Sequence, residues 1–191
     1  MEGMSEKLGG VALVFTMIAL GTSPHPVILV LCYLIHEAGH LVLSQIVGAK
    51  MKRFKIGALH LSLSYDSSGL SYGQEMAVQA GGIIFNLLSA VLVCPLPALK
   101  TEAWQFFTVC NFSLALMNLY PVSILDGGGL LKNAISLIWS GDVAEKASKI
   151  VSFIFAVFMW LVAVYLQIVF SSNLSLFIIS VLLLVELCFS F

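Results

Sequence analysis

The stretch PVILVLCYLIHEAGHLVLSQIVG, residues 26–48, places the polar group His36-Glu37-Ala38-Gly39-His40 inside an apolar run. The run has the ~20 residues that an α-helix needs to cross a bilayer. An ionisable side chain in such a helix costs ~2.5 kcal/mol or more on insertion scales, so His36, Glu37 and His40 need a common reason to be there. The stretch therefore predicts a membrane helix with a functional site inside it.

The composition of the whole chain also indicates a membrane protein. Of its 191 residues, 60% are hydrophobic and 10% are charged, whereas a soluble domain has about 25% charged residues. The net charge of −1 provides no basic face for phosphates, so nucleic-acid binding is excluded.

Apolar runs near the length of a bilayer crossing predict about six transmembrane helices. They lie at residues 8–22, 26–48, 76–99, 103–122, 149–170 and 174–191. A cleaved signal peptide is the alternative for the first run, but Glu2 and Glu6 beside Lys7 favour a retained helix, because a secretory signal carries net positive charge. The predicted fold is an all-α membrane protein, a polytopic bundle that forms a single domain over residues 1–191.

Residues 51–73 differ from the apolar runs around them. Leu59, Leu61, Leu63 and Tyr65 alternate with polar residues, and this period of two indicates a strand. The sequence DSSG at residues 66–69 favours a turn, and residues 70–72 are predicted to return as a second strand. We therefore expect a small β-hairpin at the membrane surface between the second and third helices.

The basic residues predict the orientation in the membrane, because loops rich in Lys and Arg stay in the cytoplasm. With a cytoplasmic N-terminus, Lys100 is the only one of the nine basic residues that lies outside. The cytoplasmic residues are Lys7, Lys50, Lys52, Arg53, Lys55, Lys132, Lys146 and Lys149. Both termini are therefore predicted to be cytoplasmic.

The histidines of the second predicted helix suggest a zinc site. His36 and His40 are four residues apart, so a helix brings both imidazoles to one face, where they can bind one ion. A catalytic zinc takes three protein ligands and a water, and Glu37 is placed to reach that water as general base. A buried polar cluster that joins helices is the structural alternative.

Asp126 is the candidate for the third ligand. It follows Pro121, which ends a helix, and precedes Gly127 and Gly128, which allow a close approach of the backbone. Irregular backbone at membrane depth is tolerated where protein buries it or where it lines a wet cavity. The alternative is that Asp126 caps the next helix at the membrane surface.

These motifs resemble the site-2 protease family of intramembrane metalloproteases, which has HExxH in one membrane helix and LDG after a later, proline-broken helix. The resemblance implies that His36, His40 and Asp126 bind Zn²⁺ and that Glu37 activates water. The stretch GIIFN, residues 82–86, resembles the family's GxxxN motif, which implies that Gly82 and Asn86 position the substrate. Packing between membrane helices is the alternative for the glycine.

The resemblance implies an intramembrane zinc endopeptidase that performs regulated proteolysis of transmembrane or membrane-associated proteins. Six crossings with cytoplasmic termini resemble the bacterial branch that includes the sporulation sigma-factor-processing protease. That branch implies the bacterial cell membrane, contact with membrane lipid and a regulatory membrane protein as partner. We expect neither the CBS domain nor the PDZ domain that other members carry.

Two other functions are weighed against this prediction. A pseudoprotease that binds membrane helices without cleaving them is expected to lack Glu37 or a ligand, and all four residues are present. A membrane metal-binding or transport protein is expected to carry further ionisable residues along its other helices. The predicted helices offer almost none.

Overall fold

The computed structural model describes residues 26–56, 61–66, 69–93, 101–170 and 174–190. Within these ranges the chain forms a bundle of six helices with two strands between the first and second helix. The helices are α1 Pro26–Ile46, α2 Tyr72–Val93, α3 Glu102–Asn118, α4 Asp126–Ser136, α5 Gly141–Phe170 and α6 Leu174–Ser190, and the strands are β1 Lys50–Ile56 and β2 Leu61–Asp66. The predicted helical bundle is therefore confirmed.

Three of the described helices are long and apolar enough to cross a membrane. They comprise Val27–Ile46 in α1, Tyr72–Val93 in α2 and Gly141–Val169 in α5, and α6 contributes the shorter apolar stretch Leu176–Val185. Helix α3 has 17 residues, fewer than the ~20 of a typical crossing. The first predicted run, residues 8–22, lies outside the described residues. The count of six crossings stays a prediction.

Helix α1 ends in a Schellman motif. The amide of Gly48 donates to the carbonyl of Gln45 at 3.1 Å, and the amide of Ala49 donates to the carbonyl of Ser44 at 2.9 Å. Gly48 has a φ of 75°, in the left-handed region that favours glycine at this position. The motif stops the helix and directs the chain into β1.

Strands β1 and β2 form an antiparallel pair in which Ile56 lies opposite Leu61. The sequence predicts a strand in the region of β2, but the partner predicted at residues 70–72 is wrong, because Tyr72 already belongs to α2. The strand that pairs with β2 is β1, which precedes it in the chain.

A capping box explains why α2 begins where a strand was predicted. The amide of Gln74 donates to Ser71 Oγ at 3.3 Å, and the amide of Ser71 donates to Gln74 Oε1 at 2.9 Å. This reciprocal pair satisfies amide groups at the start of a helix. Gln74 Nε2 also donates to the carbonyl of Val47 at 3.3 Å, so the start of α2 is fixed to the end of α1.

Helix α2 lies at the centre of the described bundle, where it packs against α1, α3 and α4. Its contact with α1 is very close, because Gly39 and Gly81 face each other. A Cβ atom added at Gly81 would lie 2.5 Å from the carbonyl oxygen of Gly39. Only two glycines allow the backbones to approach this closely.

Helices α5 and α6 form a second pair, against which the turn between α3 and α4 packs. Val122 in this turn is fully buried with Ala156 of α5 and with Ile179, Leu183 and Leu187 of α6. Burying apolar side chains in this way stabilises the contact by van der Waals packing. The turn that leads into α4 is therefore held between the two parts of the bundle.

Candidate metal centre

Three side chains from two helices converge inside the bundle. His36 and His40 lie on α1, and Asp126 is the first residue of α4. Asp126 Oδ2 is 3.1 Å from His36 Nε2 and 3.3 Å from His40 Nε2. The two Nε2 atoms are 3.2 Å apart. The three atoms form a nearly equilateral triangle.

The triangle fits the ligands of one metal ion. Imidazole nitrogens and carboxylate oxygens bind an ion such as zinc at about 2.0 Å, which places tetrahedral ligand atoms roughly 3.3 Å apart. His36 is 6% exposed, so the centre lies in the protein interior. Among the described residues, His36, His40 and Asp126 are the group of His, Cys, Asp or Glu that could hold an ion.

The backbone of α2 orients His40. The ring atom Nδ1 lies 2.8 Å from the carbonyl oxygen of Val78. Because a carbonyl can only accept, Nδ1 carries the proton and donates it, and the lone pair of Nε2 is free for an ion. Metal-binding histidines usually use their second nitrogen in this way. The corresponding atom of His36, Nδ1, is buried without a partner among the described residues.

Gly82 of α2 lies against both imidazoles. A Cβ atom added there would be 2.5 Å from His36 Cε1 and 2.5 Å from His40 Nε2. Only glycine therefore leaves room for the two rings. This contact explains why position 82 is a glycine without any role in binding the substrate. It supports the packing alternative, with the two imidazoles as the packing partners.

The turn after α3 brings Asp126 to the histidines. The amide of Leu125 donates to the carbonyl of Val122 at 2.8 Å and closes the turn. Gly127 and Gly128 lie so close to the carbonyls of the turn that neither position has room for a Cβ atom. Leu125 takes the N-cap position of α4 without a side-chain bond. The alternative in which Asp126 caps this helix is therefore wrong.

Glu37 and Asn86 lie on the same two helices as the histidines and Gly82. Glu37 follows His36 directly on α1, and its side chain lies close enough to interact electrostatically with His36, His40 and Asp126. Asn86 is fully buried one turn after Gly82, and neither atom of its amide has a partner in the described ranges. The structure thus brings His36, His40, Asp126 and Gly82 together, with Glu37 next to His36 and Asn86 buried one turn beyond Gly82.

Two residues near the centre were missed by the sequence reasoning. Val78 acts through its backbone carbonyl, which any residue has, so the sequence contains no signal for it. Gln79 contacts α4. The sequence does contain a signal for it, because a polar residue in an apolar helix one turn before Gly82 is a candidate for a contact between helices.

Comparisons with known proteins agree with this geometry. Residues 97–162 match the model of peptidase family M50, a range that contains Asp126 and lies downstream of His36 and His40. No curated protein matches the chain. The fold is similar to that of the site-2 protease from Methanocaldococcus jannaschii, with a TM-score of 0.68 and 16% identity over 93% of this chain and 86% of that chain.

At 16% identity the structural similarity shows a shared fold, and the family match links residues 97–162 to peptidase family M50. Together with the apolar helices of spanning length and the three candidate ligands, these findings support one class of protein, a membrane metalloprotease. Within that class, the resemblance to the site-2 protease family that the motifs predicted is confirmed.

Proposed function

We propose that the protein is an intramembrane zinc endopeptidase that performs regulated proteolysis of transmembrane or membrane-associated proteins. The observation that carries this proposal is the convergence of His36, His40 and Asp126 near Glu37. Two imidazoles and a carboxylate are a ligand set of catalytic zinc, and they leave the fourth position to water or substrate.

In the proposed mechanism His36, His40 and Asp126 hold the ion, and Glu37 moves the proton. A bound zinc ion supplies Lewis acidity, which lowers the pKa of water and polarises a peptide carbonyl. Glu37 takes a proton from the attacking water and returns it to the leaving amine as the peptide bond breaks.

The substrate has to be locally unwound, because the carbonyls of a transmembrane helix are hydrogen-bonded within the helix. The pair of β1 and β2 supports a route for this step. In the described part of the chain the sheet has two strands. Each strand therefore has one edge that does not pair with another strand of this sheet. An extended substrate segment can add to such an edge through main-chain hydrogen bonds.

The proposal places the protein in the bacterial cell membrane with six crossings and both termini in the cytoplasm. It includes contact with lipid and with a regulatory membrane protein. We also propose that Asn86 hydrogen-bonds the unwound substrate. Both atoms of its buried amide have no partner among the described residues, so this amide has bonding capacity to offer when a substrate separates the helices.

The two other functions receive less support from the described residues. A transporter needs ligands along a path, whereas the ranges described here hold one group that could bind an ion. A silent pseudoprotease has no need for a general base, whereas the carboxylate of Glu37 lies close enough to interact with all three candidate ligands.

The substitution Glu37→Gln tests the proposed mechanism, because it keeps the shape of the side chain and removes the base. We expect purified Glu37→Gln to retain zinc and its fold, and to cleave a co-expressed single-span substrate about 10²- to 10⁴-fold more slowly. Cleavage is measured as the rate of product formation on immunoblots, and zinc is measured by elemental analysis.

A matched control is Glu102→Gln, which makes the same chemical change at an exposed position at the start of α3. We expect this variant to cleave at the wild-type rate. Undiminished cleavage by Glu37→Gln would exclude Glu37 as the general base and would remove the proposed mechanism.

A further inference from the structure

Gln79 of α2 contacts the helix that carries Asp126. Its Oε1 atom accepts a hydrogen bond from Asn133 Nδ2 at 3.3 Å. A Cβ atom added at Gly129 would collide with the amide group of Gln79, so the glutamine side chain lies directly on the backbone of α4. Asn133 is 4% exposed. The contact is thus an internal polar link between two helices.

The contact lies on the face of α4 that points to the metal centre. Asp126, Gly129 and Asn133 are separated by three and four residues, so they share one side of the helix. One residue before Gln79, the carbonyl of Val78 accepts the hydrogen bond from His40 Nδ1. A single turn of α2 therefore contacts a histidine ligand and also the helix of the carboxylate ligand.

We propose that Gln79 is a positioning residue for the third ligand, because it fastens α4 to α2 and thereby sets the distance of Asp126 from the two imidazoles. It acts through α4, so its effect reaches the ion only by way of Asp126. The inference rests on the proposed function in one respect, namely that His36, His40 and Asp126 bind zinc.

The test is a zinc titration of the purified full chain in detergent, in competition with a fluorescent chelator. Gln79→Leu removes the acceptor, and Asn133→Leu removes the donor from the opposite helix with little change in size. We expect each variant to bind zinc roughly 10-fold more weakly, the lower end of the effect of losing a group bonded directly to a metal ligand, because this contact acts one step further away, through α4. The helical content of the metal-free protein is expected to stay unchanged in circular dichroism.

A swapped variant separates positioning from general packing. The double substitution Gln79→Asn with Asn133→Gln retains an amide pair with the same number of methylene groups between the helices. We expect it to recover most of the lost affinity, whereas each of its two single substitutions weakens binding. Gln105→Leu makes the same change as Gln79→Leu at an exposed position of α3 and is expected to bind zinc like the wild type.

The inference is overturned if folded Gln79→Leu and Asn133→Leu both bind zinc within about twofold of the wild type. It is also overturned if the metal-free variants melt at lower temperature while their zinc affinity is unchanged, because that result indicates packing alone. A wild-type chain that binds no zinc overturns the proposed function together with the inference. Normal wild-type affinity with unchanged variants overturns only the inference.

Discussion

At the metal centre, two imidazoles and a carboxylate lie within 3.3 Å of one another in the protein interior. Burying polar groups this close together costs free energy unless each group has a hydrogen-bond partner or a metal ion to bind. The Val78 carbonyl is the partner of His40 Nδ1, whereas Asp126 Oδ2 and His36 Nδ1 are buried without a hydrogen-bond partner among the described residues. A bound cation would give Asp126 Oδ2 and the two Nε2 atoms a common partner, because these three atoms lie 3.1 to 3.3 Å apart.

Gly82→Ala tests the space around the imidazoles. The added Cβ would lie 2.5 Å from His36 Cε1 and His40 Nε2, so at least one ring has to move. We expect the zinc content of the purified variant to fall more than about tenfold, because displaced ligands no longer meet at one point. Elemental analysis of metal and protein in the same sample measures this.

Gly73→Ala is the matched control for this substitution, since it lies in the same helix and its nearest neighbour is 4.0 Å away. It is expected to retain full zinc. If Gly82→Ala also retains full zinc, the space at this position is not what limits the site.

At the residue scale, the sequence predicts the candidate ligands better than it predicts their surroundings. His36 and His40 carry a signal because their type and their spacing are both unusual in an apolar helix. The contact of Gly82 with the imidazoles depends on how α2 packs against α1, and no local pattern contains that information. The link of Gln79 to Asn133 joins residues that are 54 positions apart, which sequence spacing alone cannot reveal.

Among the elements, the packing of α1 against α2 depends on a contact between two glycines. Gly39→Ala is expected to destabilise the protein by about 1 to 3 kcal/mol, because overpacking forces the backbones apart. The added Cβ would meet the carbonyl group of Gly81, and backbone cannot move aside as a flexible side chain can. The free energy of unfolding is measured by titration with denaturing detergent.

Gly73→Ala serves here as a control of opposite sign. Alanine in an open helical position is expected to increase stability by up to about 1 kcal/mol. A Gly39→Ala variant as stable as the wild type would mean that α1 and α2 do not need their close approach.

The helix positions were predictable to the extent that they depend on long apolar runs. Five of the predicted runs overlap described helices, namely α1, α2, α3, α5 and α6, because about twenty apolar residues in a row leave few alternatives. Helix α4 has 11 residues and begins with three glycines after Asp126, so it resembles a loop in the sequence. Helix α2 begins before its predicted run at residue 76, because the capping box of Ser71 and Gln74 starts the helix at Tyr72.

In the whole molecule, the residues of the site are far apart in the sequence, and the packing of the helices brings them together. His36 and Asp126 lie 90 positions apart, and α2 lies between their helices and contacts both. The turn before Asp126 is fastened on its other side, where the Tyr120 hydroxyl donates to the carbonyl of Phe155 at 3.2 Å. The motifs and the family resemblance predicted that His36, His40 and Asp126 meet at one ion, whereas composition and periodicity predicted only the helices.

The central claim is that α1 and α4 together form one zinc site. The most direct test is the ratio of zinc to protein in the purified full chain, measured for the wild type, Asp126→Ala and Asp142→Ala. Asp142 is an exposed aspartate in the first turn of α5 and is the matched control.

We expect about one zinc per wild-type chain and per Asp142→Ala chain, and far less than one for Asp126→Ala, because two imidazoles alone leave the site one ligand short. Equal zinc content in all three proteins would contradict the claim and would remove Asp126 from the site.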